Sequence, residues 1–154
     1  GDHRDLHSFP TRRSSDLWDG YPAGRERLYG AFADAGVQPI VLAGDSHAFW
    51  VNDLKDASGR RAAVEFATSS ISSPSPGDHV QGVPLGAALN AANEEVLLCD
   101  QSAKGFVLLT LTPTEAKAEL HTVSTIFDKR YDASVLKTYT VAKTAGGNGP
   151  LVES

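Results

Sequence analysis

Asp45 and His47 are the residues with which this chain could do chemistry. They stand one residue apart in the stretch LAGDSHAFW (residues 42–50), just past a short apolar run, and in extended backbone a spacing of two puts both side chains on one side. A carboxylate oxygen and an imidazole nitrogen brought together at the mouth of a sheet can ligate a hard or borderline cation. Gly44 would allow a sharp exit from the strand. The same two residues also have a bland reading, with Asp45 capping a turn or helix and His47 as a satisfied polar residue. Four residues do not separate the two readings, so the surrounding elements must.

Upstream, YPAGRERLYGAFADAG has a Pro at its start and Gly36 at its end, and predicts an amphipathic helix with Leu28, Ala31, Phe32 and Ala35 on one face. The unbroken apolar run Ile40–Ala43 predicts a buried strand feeding a loop at Gly44 and Asp45. Residues 49–54 and the stretch RAAVEFAT, separated by the turn residues Ser58 and Gly59, predict a hairpin. Residues 69–86 are rich in Ser, Gly and Pro and predict a long loop closed by a short helix over ALNAAN, and loops of that length are often functional. EVLLCD, GFVLLTL and AKAELHTVS then predict a three-stranded meander, with a turn at Lys104 and Gly105. LKTYTVA predicts a further edge strand, and the Gly-rich residues 145–154 a disordered tail. The order has too few helices for a doubly wound sheet and fits half of an α/β sandwich, mostly β with a few short helices.

Residues 1–17, GDHRDLHSFPTRRSSDL, have neither a helical nor a strand period. Written back into codons they match a common short-read sequencing adapter along their whole length. They are therefore expected to be non-native and are set aside from fold and function, together with Asp2, His3 and His7, which would otherwise pass for metal ligands. The formal net charge of −5 is unchanged by this, because three acidic residues leave with three basic ones. A mildly acidic chain lacks the concentrated basic face of a nucleic-acid binder, and no apolar run approaches the ~18 residues of a membrane span. Cys99 is the one cysteine, so no internal disulfide forms, and its apolar neighbours predict a buried thiol.

Four segments, in order, resemble PhoD-like alkaline phosphatases. GDSH after an apolar strand is similar to that family's GD-x-H motif; AVEFATSSISSPS resembles its strand-then-serine segment; CDQSAKGFVLLTLTPTEAKAEL resembles its terminal hairpin; and WDGYPAGRERL resembles the helix before the metal motif. The resemblance implies residues 18–144 as the C-terminal part of a calcineurin-like metallophosphoesterase domain, two mixed sheets packed together with helices outside. It implies iron and calcium as cofactors, a phosphate-ester substrate, and attack on phosphorus by a metal-bound hydroxide. It carries Asp45 and His47, and no other residues, into the metal and catalytic site. The family's other ligands lie upstream of anything in this sequence, so the missing N-terminal half of the domain is the expected partner and the chain alone is expected to be inactive. Glu94 and Glu95 stand where many members have Pro-His. Periplasmic or extracellular placement is implied by the family alone.

Other residues carry weaker signals. Ser69, Ser70, Ser72 and Ser73 could face substrate oxygens or simply bond within their loop; His79 could be a ligand or a solvated loop residue; His121 falls in a strand; Phe49 and Trp50 could wall a pocket or fill the core. Two rival functions remain. The GDS triplet also opens the nucleophile block of serine-dependent GDS-type esterases, with Ser46 attacking an ester carbonyl, but that class needs a late Asp-x-x-His pair, which is absent after Ser46. The other is a non-catalytic β-rich module that binds through a sheet edge or the Ser-Pro loop.

Overall fold

The structure, a computed structural model, describes residues 20–80 and 82–154. The expected adapter-derived segment, residues 1–17, lies outside them. Contacts divide the chain into two compact units, Gly1–Val37 and Gln38–Ser154. The first contains helix α1 (Pro22–Asp34), which opens with Pro at its first turn, where a missing N–H costs nothing. It closes where Gly36 turns left-handed (φ 65°), with Val37 N–H donating to Phe32 O and Gly36 N–H to Ala33 O, both at 3.0 Å. That pairing satisfies carbonyls the helix cannot. The sheltered face is not the expected one: Ala31 and Ala35 are exposed, and Tyr29 is the buried residue.

The second unit holds two four-stranded sheets. One is built from β1 (Ile40–Ala43), β2 (Phe49–Lys55), β3 (Arg61–Ala67) and β4 (Val96–Asp100) in the order β1-β3-β2-β4; β1 and β3 run parallel, and the other pairs are antiparallel. The other is an antiparallel meander of β5 (Lys104–Leu111), β6 (Glu115–Val123), β7 (Ala133–Thr144) and β8 (Gly147–Glu153). Alternation along the strands sends Phe49, Val51, Val64 and Phe66 from the first sheet and Ala118, Leu120, Tyr139 and Val141 from the second into one buried cluster. Two helices, α2 (Pro76–His79) and α3 (Leu85–Ala92), interrupt the crossover from β3 to β4, and α3 lies against β4. No helix among the described residues is long and apolar enough to cross a membrane.

Several expectations need correction. Ile40–Ala43 is a strand, but an edge one: β1 pairs only with β3 among the described residues, and Leu42 is 63 % exposed. The predicted three-strand meander breaks after its first member, because β4 joins the first sheet beside β2 and the chain changes sheets over residues 101–103. Lys104 and Gly105 open β5 rather than forming a turn, and there the backbone of β6 comes so close that a Cβ on Gly105 would lie 1.8 Å from the His121 carbonyl oxygen. The 69–86 stretch contains α2, and α3 begins three residues before the ALNAAN stretch.

The largest correction concerns the C-terminus. β7 is a central strand, not an edge, and residues 147–153 pair with it as β8 where composition predicts disorder. Composition undercounts the anchors that lie far away in sequence. Asn148 donates twice across to Gln38, from its backbone N–H to Gln38 Oε1 at 2.8 Å and from its side-chain Nδ2 to Gln38 O at 2.7 Å. Arg61, paired with Asp53, donates to the carbonyls of Asn148 and Gly149. Leu151 packs against the core cluster, and Pro150 is tolerated because β8 is an edge. Glu153 accepts from Lys137 and, at 3.1 Å, from the buried Tyr139 hydroxyl.

Three outcomes follow. A chain ending at Thr144 should lose about 2 kcal/mol or more of stability in urea unfolding, since it uncovers Leu151's share of the core; an unchanged midpoint would mean the tail is disordered after all. Leu120→Ala, which empties a fully buried site, should cost about 2–5 kcal/mol with an unchanged urea slope. Lys137, and then the Tyr139 hydroxyl, hold the Glu153 carboxyl below its ordinary value of 4.5. Its contribution is therefore complete above that value and fades as pH falls through the lower folded one. Glu153→Gln should flatten that part of the acid limb in a pH series of thermal midpoints.

Candidate functional site

The end of the first sheet where β1 and β3 finish is where the chain's chemistry-bearing residues gather. Ala43 O accepts from Thr68 N–H at 3.0 Å, which ties the residue after β3 to the end of β1. Residues 44–48 must then cross the end of β3, because β3 lies between β1 and β2 in the sheet. The gap is about 10 Å, two strand spacings. The chain makes the crossing in a tight, left-handed path: Asp45 has φ 64° and His47 φ 55°, with Ser46 N–H donating to Gly44 O at 2.7 Å.

This overturns the expected local geometry. The backbone of residues 45–47 is not extended, so the same-side argument does not apply. Gly44, expected to make the bend, is not among the residues of positive φ. Asp, like Asn and His, is among the residues that enter the left-handed region most readily, which explains why these two types can make the turn themselves. Such conformations cost about 1–3 kcal/mol each and persist where neighbours over-determine them.

Those neighbours are visible. Ala48 and Phe49 are fully buried, fixing the exit. Ser69, itself buried, directs its hydroxyl at the His47 carbonyl (3.3 Å) and the Ala103 carbonyl (2.5 Å), so one side chain spans the turn and the sheet-to-sheet crossover. The His47 ring lies 2.7 Å by its Nδ1 from the Pro74 carbonyl oxygen. A carbonyl can only accept, so Nδ1 carries a proton, and in the neutral ring Nε2 keeps a free lone pair. Asp45 is exposed, and among the described residues no hydrogen bond engages its carboxylate. The two residues singled out by sequence therefore share one turn, each with a donor atom left for a ligand. Among the described residues, no group of three or more His, Cys, Asp or Glu is arranged to hold a metal ion.

The remaining sequence candidates are accounted for locally. Ser46 Oγ accepts from Trp50 Nε1 at 3.1 Å, a contact that supplies no base to activate a nucleophile. Phe49 is core. Ser70 bonds back to the Ser73 carbonyl at 2.6 Å, while Ser72 and Ser73 are exposed. His79 ends α2 and is exposed. His121 stacks on Phe106 across the second sheet, with ring centroids 5.1 Å apart. Glu94 and Glu95 precede β4, at the end opposite Asp100, and meet Lys55. Cys99 is buried, and burial pushes its thiol up.

Sequence reasoning missed the residues behind the Pro74 carbonyl. Ser75 and Asp78 form a capping box, with Ser75 N–H donating to Asp78 Oδ2 at 2.6 Å. Lys104, almost fully buried, donates to the same oxygen at 2.7 Å and to Ser75 Oγ. Lys104 and then the Ser75 N–H hold the Asp78 carboxyl below its ordinary value. The Ser-x-x-Asp spacing was a usable signal for the box; nothing local in the sequence marks Lys104 as its partner.

Comparison with known proteins agrees with this architecture. The family model described as PhoD-like phosphatase matches residues 3–120, a match that begins within the segment expected to be adapter-derived. Alkaline phosphatase D of Bacillus subtilis (strain 168) is 31 % identical over 117 residues, covering 69 % of this chain and 18 % of that protein. A solved structure titled "Structure of PhoD" superposes with a TM-score of 0.71 at 25 % identity, over 90 % of this chain and 26 % of that one. The chain thus spans a minor part of the length of both relatives. With the family match covering more than half of its residues and the two-sheet fold shared, the chain belongs to the PhoD-like phosphatase family.

Proposed function

We propose that this chain contributes one side of a metal site for phosphoric ester hydrolysis, with Asp45 and His47 as its metal-binding and catalytic residues. The observation that carries the reading is the His47 Nδ1 bond to Pro74 O. Metal-ligating imidazoles characteristically give their other N–H to a carbonyl or carboxylate, which fixes the ring and its tautomer. The neighbouring Asp45 carboxylate, exposed and unengaged, adds a hard oxygen donor, so the donor set suits the iron and calcium that the family implies. A cation held there would supply Lewis acidity, polarising a phosphoryl oxygen and acidifying water. Asp45 would carry compensating negative charge, and His47 would bind through Nε2 in a ring already oriented.

Two donors are fewer than a cation's full set. The rest would come from the segments that the longer relatives have and this chain does not span, and the same segments would cover β1. An apolar parallel strand is ordinarily buried on both faces, whereas Leu42 is exposed and β1 has a free edge among the described residues. We accordingly propose that the chain by itself is inactive on phosphate monoesters and diesters, and that its partner is the remainder of the same domain. The serine-esterase reading is disfavoured by the Trp50 contact on Ser46.

Calorimetric titration with zinc, manganese or calcium should show weak binding that Asp45→Ala or His47→Ala reduces at least about tenfold; equal binding by both variants would remove these residues from the site. The purified chain supplied with iron and calcium should not turn over p-nitrophenyl phosphate, and a fluorophosphonate should leave Ser46 unlabelled. Asp45→Gly should do two opposite things at once. Glycine relieves the left-handed turn and should raise stability by up to about 1 kcal/mol, while metal binding is lost; a stabilising role for the carboxylate would instead lower the unfolding midpoint.

A further inference from the structure

The carbonyl that holds His47 and the N–H that Asp78 grips belong to a single peptide unit. Pro74 contributes the C=O and Ser75 the N–H, and resonance keeps the two in one rigid plane. His47 Nδ1 lies 2.7 Å from the oxygen end, and Asp78 Oδ2 lies 2.6 Å from the nitrogen end. Behind Asp78 stands the Lys104 ammonium, 10 % exposed along its side chain, 2.7 Å from the same carboxylate oxygen and also bonded to Ser75 Oγ. An ammonium, a carboxylate, a peptide and an imidazole therefore form one line of hydrogen bonds from β5 to the crossing turn.

We propose that Lys104 and Asp78 are positioning residues for His47, acting through the Pro74–Ser75 peptide to fix the ring and its Nδ1–H tautomer; as a statement about catalysis this rests on the metal-site reading above. The physical basis is twofold. Chained hydrogen bonds polarise one another, so a carboxylate on the N–H makes the carbonyl a better acceptor for the imidazole proton. The plane cannot tilt at one end without moving at the other, so anchoring Ser75 N–H through the Asp78 carboxylate, itself gripped by a nearly buried ammonium, anchors the Pro74 oxygen. Lys104 is well placed for this because Gly105 and β6 fix the start of β5, and Gly105 N–H donates to Ser70 O at 3.0 Å. Neither Lys104 nor Asp78 needs to touch a substrate or a metal.

The test reads the ring, not the metal. In the full 15N-labelled chain at a fixed mildly alkaline pH, with His47 assigned by its loss in His47→Gln, the His47 ring should carry its proton on Nδ1. In Lys104→Met and Asp78→Asn it should pass largely to the Nε2–H form that an unconstrained histidine side chain prefers, while His121 keeps its signals as evidence of an intact second sheet. Lys104→Arg, which retains the charge, should recover part of the Nδ1–H population. An Nδ1–H ring unchanged in both Lys104→Met and Asp78→Asn overturns the proposal, as does a wild-type ring already protonated on Nε2. If Lys104→Met fails to fold, the isosteric Asp78→Asn carries the same decision. Zinc titration of the same samples separates the two ideas: a tautomer that responds as expected in a chain that binds no metal upholds the positioning line and refutes the metal site. Loss of about tenfold in zinc affinity in both variants supports the two together.

Discussion

Phe49 is sealed between the two sheets, and the position of everything at the crossing turn is set by that burial. β1 and β2 run in opposite directions and are separated by β3, so the chain must reverse and step sideways over the end of β3 between Ala43 and Phe49. With both ends fixed by ladders and Phe49 unable to leave the core, five residues must span roughly two strand spacings while turning back. A relaxed path of right-handed residues is not the one taken; Asp45 and His47 are left-handed. The turn therefore stands as a strained connection held by a core it does not belong to, a common condition of functional loops.

Holding such a turn requires attachments on more than one side, and the residues that supply them come from the crossover between sheets. Ser69 fixes the His47 main chain, and the Pro74 carbonyl fixes its ring. Both are anchored in turn at the point where β4 gives way to β5: Ser69 on Ala103 O, and the Pro74–Ser75 peptide through Asp78 on Lys104. The Ser-Pro loop is thus neither a free substrate flap nor a solvated linker over these residues. It is a bracket between the second sheet and the turn. That explains why a stretch composed mostly of small and polar residues buries Ser69 and Ser75, which sequence alone would leave in water.

How much of this was legible depends on the range of the interactions involved. Local signals set the element ends and the strand: Pro22 and Gly36 bracket α1, and the apolar, strand-forming residues of RAAVEFA give β3, while Asp45 and His47 stand out by type and spacing alone. What failed needed partners distant in sequence. β8 looks disordered by composition, and is held by Gln38 and Arg61, 110 and 87 residues from Asn148. EVLLCD reads as the first strand of a meander because nothing in it states that β2 offers an unpaired edge. Ile40–Ala43 reads as buried because its side chains are apolar, yet apolarity records what a strand could be covered by and not which neighbour this chain provides.

The same distinction applies inside the site. Motif spacing singled out Asp45 and His47 by an argument that the backbone then contradicted, since two left-handed residues do not project as two extended ones do. What survives is chemical: a carboxylate without a hydrogen-bond partner among the described residues and an imidazole whose one committed nitrogen faces a carbonyl. A buried, satisfied histidine would have both ring nitrogens engaged, and a structural aspartate at a turn would accept from nearby N–H groups, as Asp56 does from Ser58 and Arg60 in the β2–β3 turn. Asp45 sits in a left-handed turn and forms no such bonds among the described residues, which leaves its carboxylate open to the cation proposed above.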